Sequence, residues 1–246
     1  MIHFYHIFCF GDYWEKIVIS HFNLLRINKL IFEKVYIGLV GDQRERAKEI
    51  LTNLNIANLV IVNEKEFGWE QETLSYLDQN RKIFLNKIIF YAHSKGASKQ
   101  KLKPWSDVVL WRKSMEFHNI VKWREAVTLL EFYDSYGCHF LKCFRMEYDF
   151  HYAGNYWWIT GDALQRLGEL RNDTRFDAED WIGSMERAFP YAVSTRKPNY
   201  SNFTNVPMAY SFIIFCKNIY NFLIRKTHKS KKKNNKNNKI SLFKKK

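Results

Sequence analysis

The strongest constraint on this chain is a rhythm: short β-branched and aromatic runs, each closed by a turn and followed by a stretch of helical spacing. Residues 2–10 form the first run, ended by Gly11-Asp12. Residues 14–32 then repeat apolar positions at helical spacing, among them Ile17, Phe22, Leu25 and Leu30. KVYIGLV at Lys34–Val40 is a second strand, closed by Gly41-Asp42. Residues 43–54 predict an amphipathic helix, with Arg44, Glu45, Arg46, Lys48 and Glu49 on its polar side. A third strand is expected over residues 58–62, a helix over 70–80 and a fourth strand, KIIFY, over 87–91. Alternation of this kind predicts an α/β fold with a mostly parallel central sheet and flanking helices.

In such a sheet ligands bind beyond the carboxyl ends of the strands, so the loops after Phe10, Val40, Val62 and Tyr91 are the places for chemistry. Neither GxGxxG after the first strand nor GxxxxGK[ST] anywhere is present, which argues against dinucleotide-binding and P-loop functions. From Ser106 to about Phe140 the spacing is helical, consistent with two helices. Beyond that the chain is irregular and aromatic as far as Pro207.

Three segments carry candidate chemistry. The first, after the fourth strand, reads AHSKGAS and places His93, Lys95 and Gly96 at the sheet's carboxyl edge. A lysine beside glycine can neutralise a leaving diphosphate while the backbone approaches it closely, although a polar turn with a solvated lysine accounts for the same residues. The second, HYAGNYWW, offers Gly154, Asn155, Trp157 and Trp158. In an extended segment the two indoles point to opposite faces, so that one can pack inward while the other meets sugar; a bulky strand capping the core is the alternative. The third, RFDAEDWIG, holds Glu179 and Asp180, carboxylates suited to taking a proton from an acceptor hydroxyl or simply to stabilising a helix start. Asp12 and Arg112 are further candidates for the nucleotide and its phosphates, with turn formation and helix packing as the simpler accounts. No paired His/Asp/Glu spacing suits a catalytic zinc, and the four cysteines match no metal or disulfide framework.

The order HSKG, WR on a helix, GNYWW and then EDWIG resembles a family of bacterial and viral glycosyltransferases found in capsular polysaccharide and lipopolysaccharide gene clusters. The likeness runs over most of residues 1–190. The order of elements suggests residues 1–105 as the nucleotide-binding half and the irregular, aromatic 106–206 as the acceptor half; the resemblance implies a GT-A-like nucleotide-diphospho-sugar transferase fold. The donor it implies is a nucleotide sugar, a UDP-sugar first, and the acceptor a glycan or a lipid-linked glycan. Lys95, Arg112, Asn155, Trp157 and Glu179 fall on the family's motif positions. Such enzymes usually carry Asp-x-Asp after the fourth strand to hold Mn²⁺ or Mg²⁺; here that stretch reads His93-Ser94-Lys95, so Lys95 is expected to supply the charge in the metal's place. Glu147 and Asp149 are the carboxylates that would hold a metal if one is used.

The net charge of +14 is concentrated at one end: residues 225–246 hold 11 of the 39 basic residues and no acid, leaving 28 bases against 25 acids elsewhere. Residues 207–226 place Lys217, Asn221 and Arg225 four apart among Phe, Ile and Leu, which predicts an amphipathic helix lying in a membrane interface, with a last core-packed helix ahead of a disordered solubilising tail as the alternative. The polylysine segment 227–246 would then bind anionic headgroups. With no signal-peptide pattern at the start, the expected place is the cytoplasmic face of a membrane. Nucleic acid is a less favoured partner because the body is nearly neutral and no binding motif is present; a non-catalytic carbohydrate-binding module fits the aromatics but not the strand–helix alternation.

Overall fold

The computed structural model describes residues 1–98, 106–142, 150–185 and 187–193. These all belong to the first of two units, Met1–Phe203; the second, Thr204–Lys246, contains the expected helix and polylysine segment, which therefore lie outside the described residues. In chain order the elements are β1 (Ile2–Phe8), α1 (Trp14–Ile27), β2 (Lys34–Val40), α2 (Arg44–Asn53), β3 (Leu59–Lys65), α3 (Gln71–Gln79) with a 3₁₀ turn after it, and β4 (Ile88–His93). Then come α4 (Asp107–Glu116), a π-helical turn at Phe117–Val121, α5 (Trp123–Leu129), β5 (Ser135–Gly137), β6 (Phe140–Lys142) and β7 (Phe150–Tyr152). The series ends with β8 (Trp157–Thr160), α6 (Gly161–Gln165), α7 (Asp177–Asp180), a 3₁₀ turn at Trp181–Ser184 and β9 (Pro190–Ala192).

Seven strands make one sheet in the order β3-β2-β1-β4-β8-β5-β9, and β6 pairs with β7 in a separate ribbon. The four strands expected from the sequence are all present and mutually parallel. Strand β8 runs antiparallel to β4 and to β5, so the sheet is mixed but mostly parallel. Register sets the later chemistry: pairing of β1 with β4 aligns His6 with His93 at the carboxyl edge. Within residues 106–140 the expected two helices form, but β5 follows them. Ser135-Tyr136-Gly137 is too short to show a period, and Gly137 is required there because a Cβ would lie 2.5 Å from the Tyr152 ring.

The aromatic density is spent on the core. Strand β8 sends its two indoles to opposite faces, as an extended segment must. Trp157 stacks on Tyr91 at 5.0 Å, within a cluster that includes Leu74, Phe84, Ile182 and Trp181. Trp158 stacks on Phe90 at 4.6 Å and donates its indole N–H to the Asn119 carbonyl at 3.0 Å. Both indoles are 0% exposed, so neither offers a platform to sugar, and the expectation that one of them meets ligand is corrected. Truncating such a buried ring costs about 3–5 kcal/mol, which is reason enough for the paired tryptophans. Gly183, in the EDWIG segment, sits so tightly on β7 that a Cβ would lie 1.7 Å from the Phe150 carbonyl oxygen.

Cys9 and Cys138 are free and buried, and burial pushes their thiols up, to about 11 and about 12. They are therefore inert packing groups. No helix among the described residues is long and apolar enough to cross a membrane.

Candidate functional site

The carboxyl edge of β1 and β4 is where polar side chains converge. Helix α3 is brought against the sheet because β2 has a glycine where it passes: a Cβ on Gly38 would lie 1.8 Å from Thr73 Oγ1. Thr73 in turn hydrogen-bonds His6 Nδ1 at 2.8 Å. This seats the start of α3, and with it Glu70, over the ends of the two strands.

Glu70 is the hub. One carboxyl oxygen accepts from the Tyr91 hydroxyl at 2.8 Å and from the Asn155 amide at 2.7 Å. The other lies 3.2 Å from His93 Nδ1. His93 Nε2 is 2.9 Å from the Gly154 carbonyl oxygen, which only accepts, so Nε2 carries the proton. Burial, reinforced by the Lys95 charge, holds the His93 imidazole down at about 3 and therefore neutral. Its Nδ1 is then a bare acceptor facing Glu70. Burial pushes the Glu70 carboxyl up, opposed by the nearby Lys95 ammonium and the hydrogen bond from the Tyr91 hydroxyl. The bare Nδ1 and the Glu70 carboxyl therefore face each other 3.2 Å apart, an arrangement that favours the neutral acid.

The Gly154-Asn155 turn is clamped by the same network. Gly154 N–H donates to Glu179 Oε1, while its carbonyl accepts from His93. Both residues have positive φ, 90° and 55°, and a Cβ on Gly154 would lie 2.4 Å from Met115 Sδ. Asn155 is 1% exposed and its amide is fully engaged: nitrogen to Glu70 and to the Ala178 carbonyl at 3.1 Å, oxygen from the Trp157 indole at 2.6 Å. Gly154 and Asn155 thus shape the backbone beside the site, and the expected contact of the Asn155 amide with sugar hydroxyls is corrected.

The structure brings His93, Lys95 and Glu179 to this edge together. Lys95 is half-buried, with its ammonium 4.1 Å from the centre of the Trp111 ring. Trp111 is itself held by its indole N–H on the Ala153 carbonyl at 3.2 Å. Glu179 is half-buried on α7, and with Oε1 on Gly154 N–H its other oxygen remains for a further donor. Gly96, with φ 92°, lets the chain turn after Lys95. Serine 94 anchors the loop by receiving the Phe8 N–H on its hydroxyl at 2.8 Å.

Three other expected site residues take different parts. Arg112 is buried, donates to the Lys95 carbonyl at 2.9 Å and lies 3.6 Å from Glu116, so its guanidinium fixes the loop's backbone. Asp180 is buried 3.2 Å from His151 Nδ1, a poor position for a base. Asp12 is exposed in the turn between β1 and α1 and takes no part in these hydrogen bonds. Glu147 and Asp149, the carboxylates reserved for a metal, lie outside the described residues. Among the described residues no group of three or more His, Cys, Asp or Glu side chains is placed to hold a metal ion.

Beside this cluster, past the end of β1, lies an open cavity of about 520 Å³ lined by Phe8, Phe10, Phe67, Gly68, Trp69, Glu72 and Asn172. Phe67 and Trp69 are 74% and 46% exposed, unusual for such rings. Sequence reading marked the loop after the third strand for search but not these residues, and it missed Glu70 altogether. Glu70 looks like any acidic helix start; its role appears only once Tyr91, His93 and Asn155 surround it.

No family model matches the chain, and no curated relative matches it. Solved structures with some likeness include a 4-diphosphocytidyl-2C-methyl-D-erythritol synthase from Anaerococcus prevotii DSM 20548, at 6% identity and TM-score 0.42. Another is Rv0371c from Mycobacterium tuberculosis H37Rv, at 11% identity and TM-score 0.43. Each alignment covers 80% of this chain and 90% of the other. Neither likeness is close enough to lend this chain a chemistry.

Proposed function

We propose that this protein is a glycosyltransferase of GT-A-like fold that moves a sugar from a nucleoside-diphosphate donor to a glycan or lipid-linked acceptor. The observation that carries the reading is the meeting of Lys95 and Glu179, from distant parts of the chain, at the carboxyl edge of parallel strands beside an aromatic-lined cavity. In this reading the cavity takes the nucleoside, and the diphosphate runs from it towards Lys95. The free oxygen of Glu179 removes the proton from an acceptor hydroxyl, whose oxygen forms the new bond to the anomeric carbon. The bond from that carbon to the diphosphate breaks with its electron pair going to the phosphate oxygen, and the Lys95 ammonium stabilises the charge that develops there.

The basic segment 227–246 would hold the enzyme on an anionic, cytoplasmic membrane face, where lipid-linked acceptors are found. Calorimetric titration of the full chain with nucleoside diphosphates, with and without Mn²⁺, tests the donor half of the reading. Lys95→Ala is expected to weaken the tightest of them about tenfold to a hundredfold, as for loss of a charge-assisted contact. Equal affinity in the variant would remove Lys95 from the phosphate site, and affinity that appears only with Mn²⁺ would pass its role to the metal.

A further inference from the structure

The cavity past β1 has a feature that a plain stacking platform lacks: a carboxylate fixed in its wall. Glu72, in the first turn of α3, accepts on Oε2 from the Asn63 amide at 2.9 Å, and the same amide nitrogen donates to the Glu72 carbonyl at 2.8 Å. The side chain is thereby pinned at one oxygen. Its other oxygen lies on the side of Gly68, where a Cβ would come within 3.1 Å of Oε1 and 2.7 Å of Cγ. Gly68 has φ 147°, a conformation that favours glycine, and its missing side chain leaves that oxygen room. Phe8, Phe10, Phe67 and Trp69 line the same cavity as Glu72. Phe8 and Phe10 are already in contact, their ring centroids 4.6 Å apart and their planes tilted by 40°, so one apolar side of the cavity is fixed.

An ionised carboxylate only accepts hydrogen bonds. Set among aromatic rings, it selects a planar heterocycle that presents two adjacent N–H donors on one edge. Guanine does this with N1–H and its exocyclic amine. Uracil presents one N–H flanked by two carbonyl oxygens, and those oxygens face the carboxylate unfavourably. Cytosine and adenine offer an amine beside a bare ring nitrogen, which is half of the pattern. We infer that Glu72 makes the cavity a guanine site, so that the donor is a guanosine-diphosphate sugar and not the UDP-sugar that family resemblance favours. This inference rests on the reading of the cavity as the nucleoside site.

The test is calorimetric titration of the full chain and of Glu72→Gln with GDP, UDP and CDP, each protein checked for an unchanged circular dichroism spectrum. The wild type is expected to bind GDP about tenfold to a hundredfold more tightly than UDP, the range of one bidentate base contact. In the variant the amide can still accept from Asn63 and now also offers a donor, so the preference should shrink or invert, chiefly by loss of GDP affinity. Trp69→Ala, which removes a ring without touching the carboxylate, should weaken all three ligands and leave their order intact. UDP binding as tightly as GDP to the wild type, with no change in Glu72→Gln, would overturn the guanine assignment while leaving a nucleotide site in place. Failure of all three to bind the wild type would sink the nucleoside reading of the cavity and the guanine assignment with it.

Discussion

Acidification from pH 7 to pH 5 is expected to unfold this protein. Six histidines are held neutral by burial. Desolvation brings His3 and His93 down to about 3 and His6, His118 and His139 to about 4, and His21 lies well below the usual value. Geometry shows why the first pair cannot charge in place. His3 Nδ1 donates to the Phe90 carbonyl at 3.0 Å, which leaves Nε2 bare to accept from His21 Nε2 at 2.9 Å. A proton added to His3 would set N–H against N–H inside an aromatic stack with Tyr5 and Phe90. In the unfolded chain each imidazole titrates near 6.5, so between that value and the depressed folded values the unfolded state binds more protons. Stability is therefore full above about pH 6.5 and falls as pH drops through the window towards 4 and 3. At pH 5 each such histidine withdraws about 2 kcal/mol, and three of them reach the stability of a marginal domain, about 5 kcal/mol. Glu70 and Glu116, whose carboxyls burial raises, act in the opposite sense, but they are two groups against six. The urea midpoint measured at pH 7, 6 and 5 should fall steeply across that series; a midpoint unchanged down to pH 5 would show that these histidines charge without cost.

The second large effect is on turnover. Glu179→Gln is expected to lower kcat about a hundredfold to ten-thousandfold, the range for removal of a general base. The amide oxygen can still accept from Gly154 N–H, so the clamped turn and the nucleotide affinity should be unchanged. Asp180→Asn provides the contrast: its carboxylate faces His151 and is buried, so the loss should appear in thermal stability and not in kcat at a temperature where the variant is folded. The reverse pattern, with kcat lost in Asp180→Asn and kept in Glu179→Gln, would exchange their roles.

Much of the fold was legible because each strand–helix unit announces itself locally. KVYIGLV spans the observed β2 residue for residue, and the other three parallel strands lie within a few residues of their expected limits. β5 and β9, three residues each, carry no period and were missed; β5 forms on the edge that β8 offers, and β9 in turn on the edge of β5. The HSKG loop and Glu179 were legible as candidates because each places charge at the end of a buried strand or beside a helix start, and the structure brings them to one edge. Trp157, Trp158 and Asn155 were misread for one reason. Large rings and a Gly-Asn pair serve a tight core and a clamped turn with the same residues that would serve a sugar, and only burial separates the two. Glu70 was invisible because three of its partners come from residues 91, 93 and 155, distances that no local pattern spans.

The most direct measurement of the central claim is release of nucleoside diphosphate from a panel of sugar nucleotides by the full chain, followed with and without divalent cation. A glycosyltransferase holds its donor poised for departure, so slow release to water is expected from at least one member of the panel even without acceptor, and it should disappear in Lys95→Ala. Release from none of them, by a folded protein that also binds none of the corresponding nucleotides, would contradict the assignment of this edge as a sugar-nucleotide site.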